Sequence, residues 1–519
     1  MKALLVVMMA AVPGSDAGTV SVQFTNSCIP GVQQTFSQAI TLLHSFEYHE
    51  TRRLFAEVAA DDPGCAMANW GLAMSLWHPL WTPPTNAELE EGARLLADAA
   101  GKRKTPREAA YVEALQAFYA GTDAHIARVR AYEAKMSELY ANHLDDPEAA
   151  MFYALALLAS ADPRDKSYAR QYKAAALLNW VRESQPRHPG VLHYLIHAYD
   201  SPALAHLALE AATTYAEAAP DSAHAQHMPS HIFTRLGLWD RSLASNRDST
   251  RSAAEYTVRA HLPGHYDEGL HSIDYLMYAL LQTARDEEAR QLLEQLGRIG
   301  KTDTENFKVA YTYAASPARY VLERRQWQEA ADLTLIRSDF PWDAFGWAQS
   351  IHHFARGIGA ARSGRTDMAR RELTAIEALR ERLPDTTLPY WREQVQVHID
   401  AVGAWLLFAD HDTDGALARA ASAADREDAV DKHPVTPGEV LPARELYADM
   451  LFEAGRHADA LAQYRTVLRH SPNRLNALLG AAGAAERAGD AASAAAYRST
   501  AEKQTRAGNR ARAGLAVND

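Results

Sequence analysis

The sequence predicts an all-α chain built as one array of stacked helix pairs, an α-solenoid. Three observations carry this. Strand signals are almost absent: no alternating Val, Ile and Thr runs are bounded by Asn-Gly or Asp-Gly turns. Apolar residues recur three and four positions apart over segments of about 12 to 16 residues, rich in Ala, Leu, Glu, Arg and Gln. The segments also keep a fixed period. Gly455 and Gly489 are 34 residues apart, as are Ala460 and Ala494, and His44 and His78.

The elements follow in order. Met1-Lys2, an apolar run from Ala3 to Val12 and the small residues Ser15 and Ala17 read as a signal peptide over residues 1–17. An exported chain, periplasmic or secreted, is therefore expected; without that cleavage it would be cytoplasmic. The run is too short to cross a membrane, and no later stretch is apolar for 18 residues, so no transmembrane segment is expected. The first helix pair is read at Phe36–Phe46 and Glu50–Ala60, broken by Asp62-Pro63. Near the other end, one helix opens at Leu446 and closes at Gly455. Its partner carries Ala460, Tyr464 and Val467 and stops at Ser471-Pro472-Asn473. The next unit repeats this with Leu479-Gly480, Gly489 and Ala494. The array thus covers 18–505, with a flexible tail over 506–519.

This period, with small residues where helices cross and Pro after the second helix, resembles the tetratricopeptide (TPR) family. The match is good at about 32–100, 189–254, 270–300 and 441–505. The resemblance implies roughly eleven or twelve helix pairs in one right-handed superhelix with a concave groove. Several phrases also resemble a bacterial subfamily of exported repeat proteins. They are Leu43-His44-Ser45-Phe46, Cys65-Ala66-Met67, His78-Pro79-Leu80-Trp81, the run His193–Asp200 (HYLIHAYD) and the run His227–Phe233 (HMPSHIF). That likeness implies architecture and leaves function open.

Composition narrows the function classes. The 519 residues carry 53 Lys and Arg against 65 Asp and Glu, a formal charge of −12, which argues against a nucleic-acid partner. Two cysteines make no disulfide framework; in an exported chain Cys28 and Cys65 could pair, and the sequence leaves this open. There is no Gly-rich phosphate loop, no G-x-S-x-G elbow and no CxxC, and Cys28 has no local base.

The 22 histidines are unevenly placed: ten of them lie between residues 188 and 271. His193 and His227 are 34 apart, as are His197 and His231, and each pair is spaced by four, on one helix face. In the TPR register His193, His197, His227 and His231 take the fifth and ninth positions of successive first helices, and His224 the second. The resemblance implies that these positions line the groove. The next unit arrives 47 residues later, which places His271, Asp274 and Tyr278 there. Glu148 falls at a second position in the preceding unit. The extra residues, about 255–269, could fold over the groove as a lid.

Four imidazoles reaching inward from adjacent helices suit one transition metal. His193, His197, His227 and His231 are the expected ligands, with His224, Asp200, His271, Asp274 and Glu148 as secondary candidates. Imidazole favours Zn, Cu, Fe or Ni, and an added carboxylate leans toward Zn, Fe or Mn. The spacing is not HExxH. Two functions remain open: a superhelix binding a protein, peptide or small-molecule ligand in its groove, or a metal-dependent hydrolase or oxidoreductase using the histidine site. Catalytic residues are not assigned. The other histidines have plainer readings. His44 and His78 are expected as buried, hydrogen-bonded residues beside aromatics. His188, His206 and His261 are expected at the surface or at helix ends. His352 and His353 point different ways on a helix, and Trp342, Phe345 and Trp347 read as helix packing.

Overall fold

The computed structural model describes residues 20–121, 124–220, 222–509 and 512. The segment read as a signal peptide lies outside them. No β-strand forms among the described residues, and none of their helices is long and apolar enough to cross a membrane. Antiparallel helix pairs follow one another from Gln33–His44 with Tyr48–Asp61 to Leu475–Arg487 with Ala491–Gln504, as an all-α helical-repeat solenoid. Local chemistry starts the helices where the sequence places them. Thr85 and Thr105 each close a capping box with the Glu three residues on. Pro189 opens the helix Pro189–Tyr199 behind an N-cap imidazole, that of His188.

The two helices of a pair differ in burial. Second helices are one-sided: Asp286–Arg298 buries Ala289, Leu292 and Leu296. First helices in the central repeats are enclosed, and every residue of Asp267–Gln282 is buried. They are enclosed because the solenoid packs back on itself. Gly237, at φ +63°, brings its backbone so near Pro472 that a Cβ would lie 2.2 Å from the Pro472 carbonyl oxygen. Trp239 Nε1 donates to the Asn473 carbonyl at 2.9 Å, and Leu475 N donates to Gln282 Oε1 at 2.8 Å.

A helix-free strap over 429–442 lies inside this closure. Buried loops are rare because their polar backbone needs partners, and this one has them. Asp431 N donates to the Pro163 carbonyl at 2.9 Å, His433 Nε2 to Trp81 O at 3.0 Å, and Tyr275 Oη to Thr436 O at 2.8 Å. Arg319 donates to the carbonyls of Gly438 and Glu439 at 2.6 and 2.7 Å. The groove expected to stand open is thus occupied at its centre by the chain's own segment.

Three further expectations meet the structure here. Cys28 and Cys65 form a disulfide, with Cα atoms 5.0 Å apart. The insertion at 255–269 lengthens the helix Trp239–Arg259 to 21 residues and then runs to Tyr266. It is tied down by His265 N to Lys301 O at 2.9 Å and by Tyr266 Oη to Glu47 Oε2 at 2.6 Å. Of the segment 506–519 read as a flexible tail, residues 506–509 and 512 are described: Asn509 N donates to Ala284 O, and Arg512 pairs with Asp286, both at 2.6 Å.

Candidate metal centre

His193 and His197 leave the same face of Pro189–Tyr199 and meet His224 from the start of the next repeat. His197 Nε2 lies 3.1 Å from His193 Nε2, and His224 Nε2 lies 3.2 Å from it. One repeat on, the pattern recurs. His227 and His231 bring their Nε2 atoms to 3.0 Å, although Pro229 interrupts the helix between them, and His271 joins from Asp267–Gln282. In each threesome the donor atoms lie within 4.8 Å of one another. The sequence-predicted set of four is therefore divided: each rung takes two histidines four apart and a third from the next first helix. The rungs are neighbours, with ring centroids 5.9 Å apart for His197 and His231 and 6.2 Å for His224 and His227.

The outer nitrogens fix the protonation of the inner ones. His193 Nδ1 faces the His44 carbonyl at 2.7 Å and can only donate to it. His224 Nδ1 donates to Glu268 Oε2 at 3.1 Å, and His231 Nδ1 to Asp200 Oδ2 at 2.8 Å. His227 Nδ1 donates to Asn246 Oδ1 at 2.7 Å, and the Asn246 amide is itself oriented by donating to the Ser242 carbonyl. A neutral imidazole carries one proton, so the Nε2 atoms of His193, His227 and His231 are lone pairs. Lone pairs face each other between His227 and His231, and the His193 lone pair faces His224 Nε2. Such contacts repel unless a cation lies between them. An ion bonded to two nitrogens at about 2.0–2.1 Å holds them roughly 3.3–3.6 Å apart at tetrahedral to trigonal angles, close to what is seen.

A proton is a poor choice for that cation. Burial lowers His193, His227 and His271 well below their ordinary value, and neighbouring imidazoles add to the effect. Burial brings His197 and His231 to about 3. The carboxylates behind the rungs stay ionised. Burial would raise Asp200, but Lys432 at 2.6 Å, His231 and Arg235 at 3.2 Å hold it well below its usual range. Glu268 is likewise held down against burial by Lys308 and His224.

Aromatic rings complete the walls. Phe46 adopts a left-handed backbone at φ +56°, a strained position for a bulky residue. Its ring lies 4.4, 5.7 and 5.9 Å from those of His193, His197 and His224. Tyr215 stacks on His193 at 5.2 Å and Tyr275 on His231 at 4.8 Å. A cavity of about 430 Å³ is lined by Leu42, Glu47, Ser222, Ala223, Tyr256 and Tyr266 among others, and by none of the rung histidines. Glu47 Oε1 is 3.4 Å from the His224 backbone N.

The secondary candidates divide. His224 and His271 join the rungs, and Asp200 stands behind one. Asp274 is turned away, to Arg319 Nε at 3.3 Å and Ser316. Glu148 belongs to a separate cluster with His44, at 2.8 Å, and His188, at 3.3 Å. His188 is a helix-end residue as expected but is not at the surface, being 3% exposed. His206 and His261 are exposed; His353 bonds Glu372 while the neighbouring His352 does not. Trp347 stacks on Trp391 at 3.9 Å, which is packing. Sequence reasoning missed Glu268, Asn246, Phe46 and Lys432. Only Glu268 left a signal, three residues before His271 on a helix already placed at the groove.

No protein-family model matches the chain, and no curated protein matches it by sequence. Solved structures similar to it include the human IFIT1 dimer with m7Gppp-AAAA, 13% identical over 89% of this chain and 94% of that one, with TM-score 0.40. Yeast Tom70 is 10% identical over 94% of each chain, with TM-score 0.34. The P58(IPK) TPR domain is 10% identical over 88% of this chain and 98% of that one, with TM-score 0.20.

Proposed function

We propose that this helical-repeat scaffold is an exported metalloprotein of the oxidoreductase class, holding one transition-metal ion in each three-histidine rung. The observation that carries this reading is the facing of imidazole Nε2 atoms in both rungs, with the outer nitrogens already committed to other partners. The backing carboxylates and carbonyl are the partners that orient metal-binding histidines. Copper is the favoured ion, because an all-imidazole set suits it and its affinity tops the divalent series. No carboxylate is among the inward-facing donors, which favours redox chemistry over a hydrolytic site. The Cys28–Cys65 disulfide supports an oxidising compartment, as does the apolar run near the N-terminus.

The test is elemental analysis of protein purified without a histidine tag and exposed to stoichiometric metal. The expected content is two copper ions per chain. A His197→Ala/His231→Ala variant removes one ligand from each rung and should lose most of the metal. Wild-type protein that takes up none of Cu, Zn, Fe or Mn would overturn the reading.

A further inference from the structure

We infer, resting on that metal reading, that the two rungs act as one two-electron centre whose co-substrate is dioxygen. Three observations lead there. The rungs are adjacent, with rings of one within about 6 Å of rings of the other. Ions held in them would reach a single small molecule between or beside them.

The second observation is the donor set. Each rung turns three imidazoles inward and no carboxylate, a set that suits copper, an ion that carries one electron by passing between Cu(I) and Cu(II).

The third observation is access. His193 and His227 expose none of their surface, His224 and His231 expose 1% each and His271 3%, and His197 alone of the six is partly exposed. Phe46, Tyr215 and Tyr275 close the walls. A small apolar gas reaches such a site more readily than a peptide or a sugar. Each Cu(I) gives one electron and becomes Cu(II). The two electrons, with two protons from water, reduce one O2 to H2O2.

The experiment uses the full chain loaded with Cu(I) without oxygen, its copper counted, then mixed with oxygenated buffer. Uptake of one O2 per two Cu(I), with an equal amount of H2O2 formed, is the expected result. His271→Ala disables only the second rung and His224→Ala only the first, with folding checked by circular dichroism. Each variant should keep one copper and lose oxygen uptake per copper by roughly tenfold or more. Loaded wild-type protein that stays Cu(I) in oxygen overturns the inference. So do single-rung variants that oxidise at the wild-type rate per copper, since the rungs would then be independent. A chain that never loads copper instead strikes the metal reading itself, so the two failures are distinguishable. A superoxide trap in the wild-type reaction decides the matter even if a variant does not fold: no trapped superoxide is expected, and one superoxide per Cu(I) overturns the inference.

Discussion

Two buried histidine clusters lie side by side in this molecule, joined by one residue, and they differ in what each nitrogen faces. His44 and His188 turn Nε2 toward the two oxygens of Glu148. His44 Nδ1 meets the Tyr194 hydroxyl at 3.0 Å, and His188 Nδ1 accepts from Gly190 N at 3.1 Å. All four nitrogens are satisfied without an ion, although the group has metal-like spacing. In the rungs, supported from His44 through its carbonyl, nitrogen faces nitrogen. Burial and proximity are shared; the complementarity of the facing groups is not. A histidine cluster is therefore judged by the second nitrogen of each ring as much as by the first.

That contrast can be broken in four ways. The largest effect is expected from His227→Ala, which should cut bound copper from two ions to one; unchanged metal content by mass spectrometry would erase the distinction. Asp200→Asn and Glu268→Gln remove the carboxylates behind the rungs and should weaken metal binding about 10–100-fold, read by competition with a copper chelator. Glu148→Gln should act oppositely: metal content is unchanged, while stability to urea falls by about 1–3 kcal/mol through a poorer buried hydrogen-bond set. The last way is a pH dependence outside the rungs. Burial holds His398 and His433 at about 3 in the folded chain, against an ordinary 6.5. The unfolded chain thus binds more protons below pH 6.5, and stability must fall progressively from there toward pH 3. Burial would raise Glu148, but His44 and His188 hold it at about 2 against 4.5, which adds a second loss between those values. Urea midpoints that stay flat from pH 7 to pH 5 would contradict the histidine part.

The array was legible because its 34-residue period is written in small and aromatic residues that recur wherever helices cross. The histidine ladder was legible for the same reason, since His193, His197, His227 and His231 keep that period. Its division into two rungs was harder to read. The third ligand of each comes from the next repeat, and His271 follows His224 by 47 residues rather than 34. Asp274 misled because its register fits the groove while Arg319, on the following first helix, takes its charge. Lys432 and the strap around it left no trace in the sequence: a non-periodic segment has no register, and its partners lie about 120 to 350 residues away.

The strap also alters how the chain should come apart. In an open solenoid each repeat leans only on its neighbours, so ends fray while the middle holds. Here Lys432 reaches Asp200, and Asp431 reaches Pro163, across more than two hundred residues of intervening repeats. Losing the last repeats would uncover the central ones, so unfolding should be a single cooperative event rather than a stepwise unzipping. The order of synthesis then matters as well. Helices that carry the rung histidines leave the ribosome well before residue 432, and must wait for a late segment to seal them.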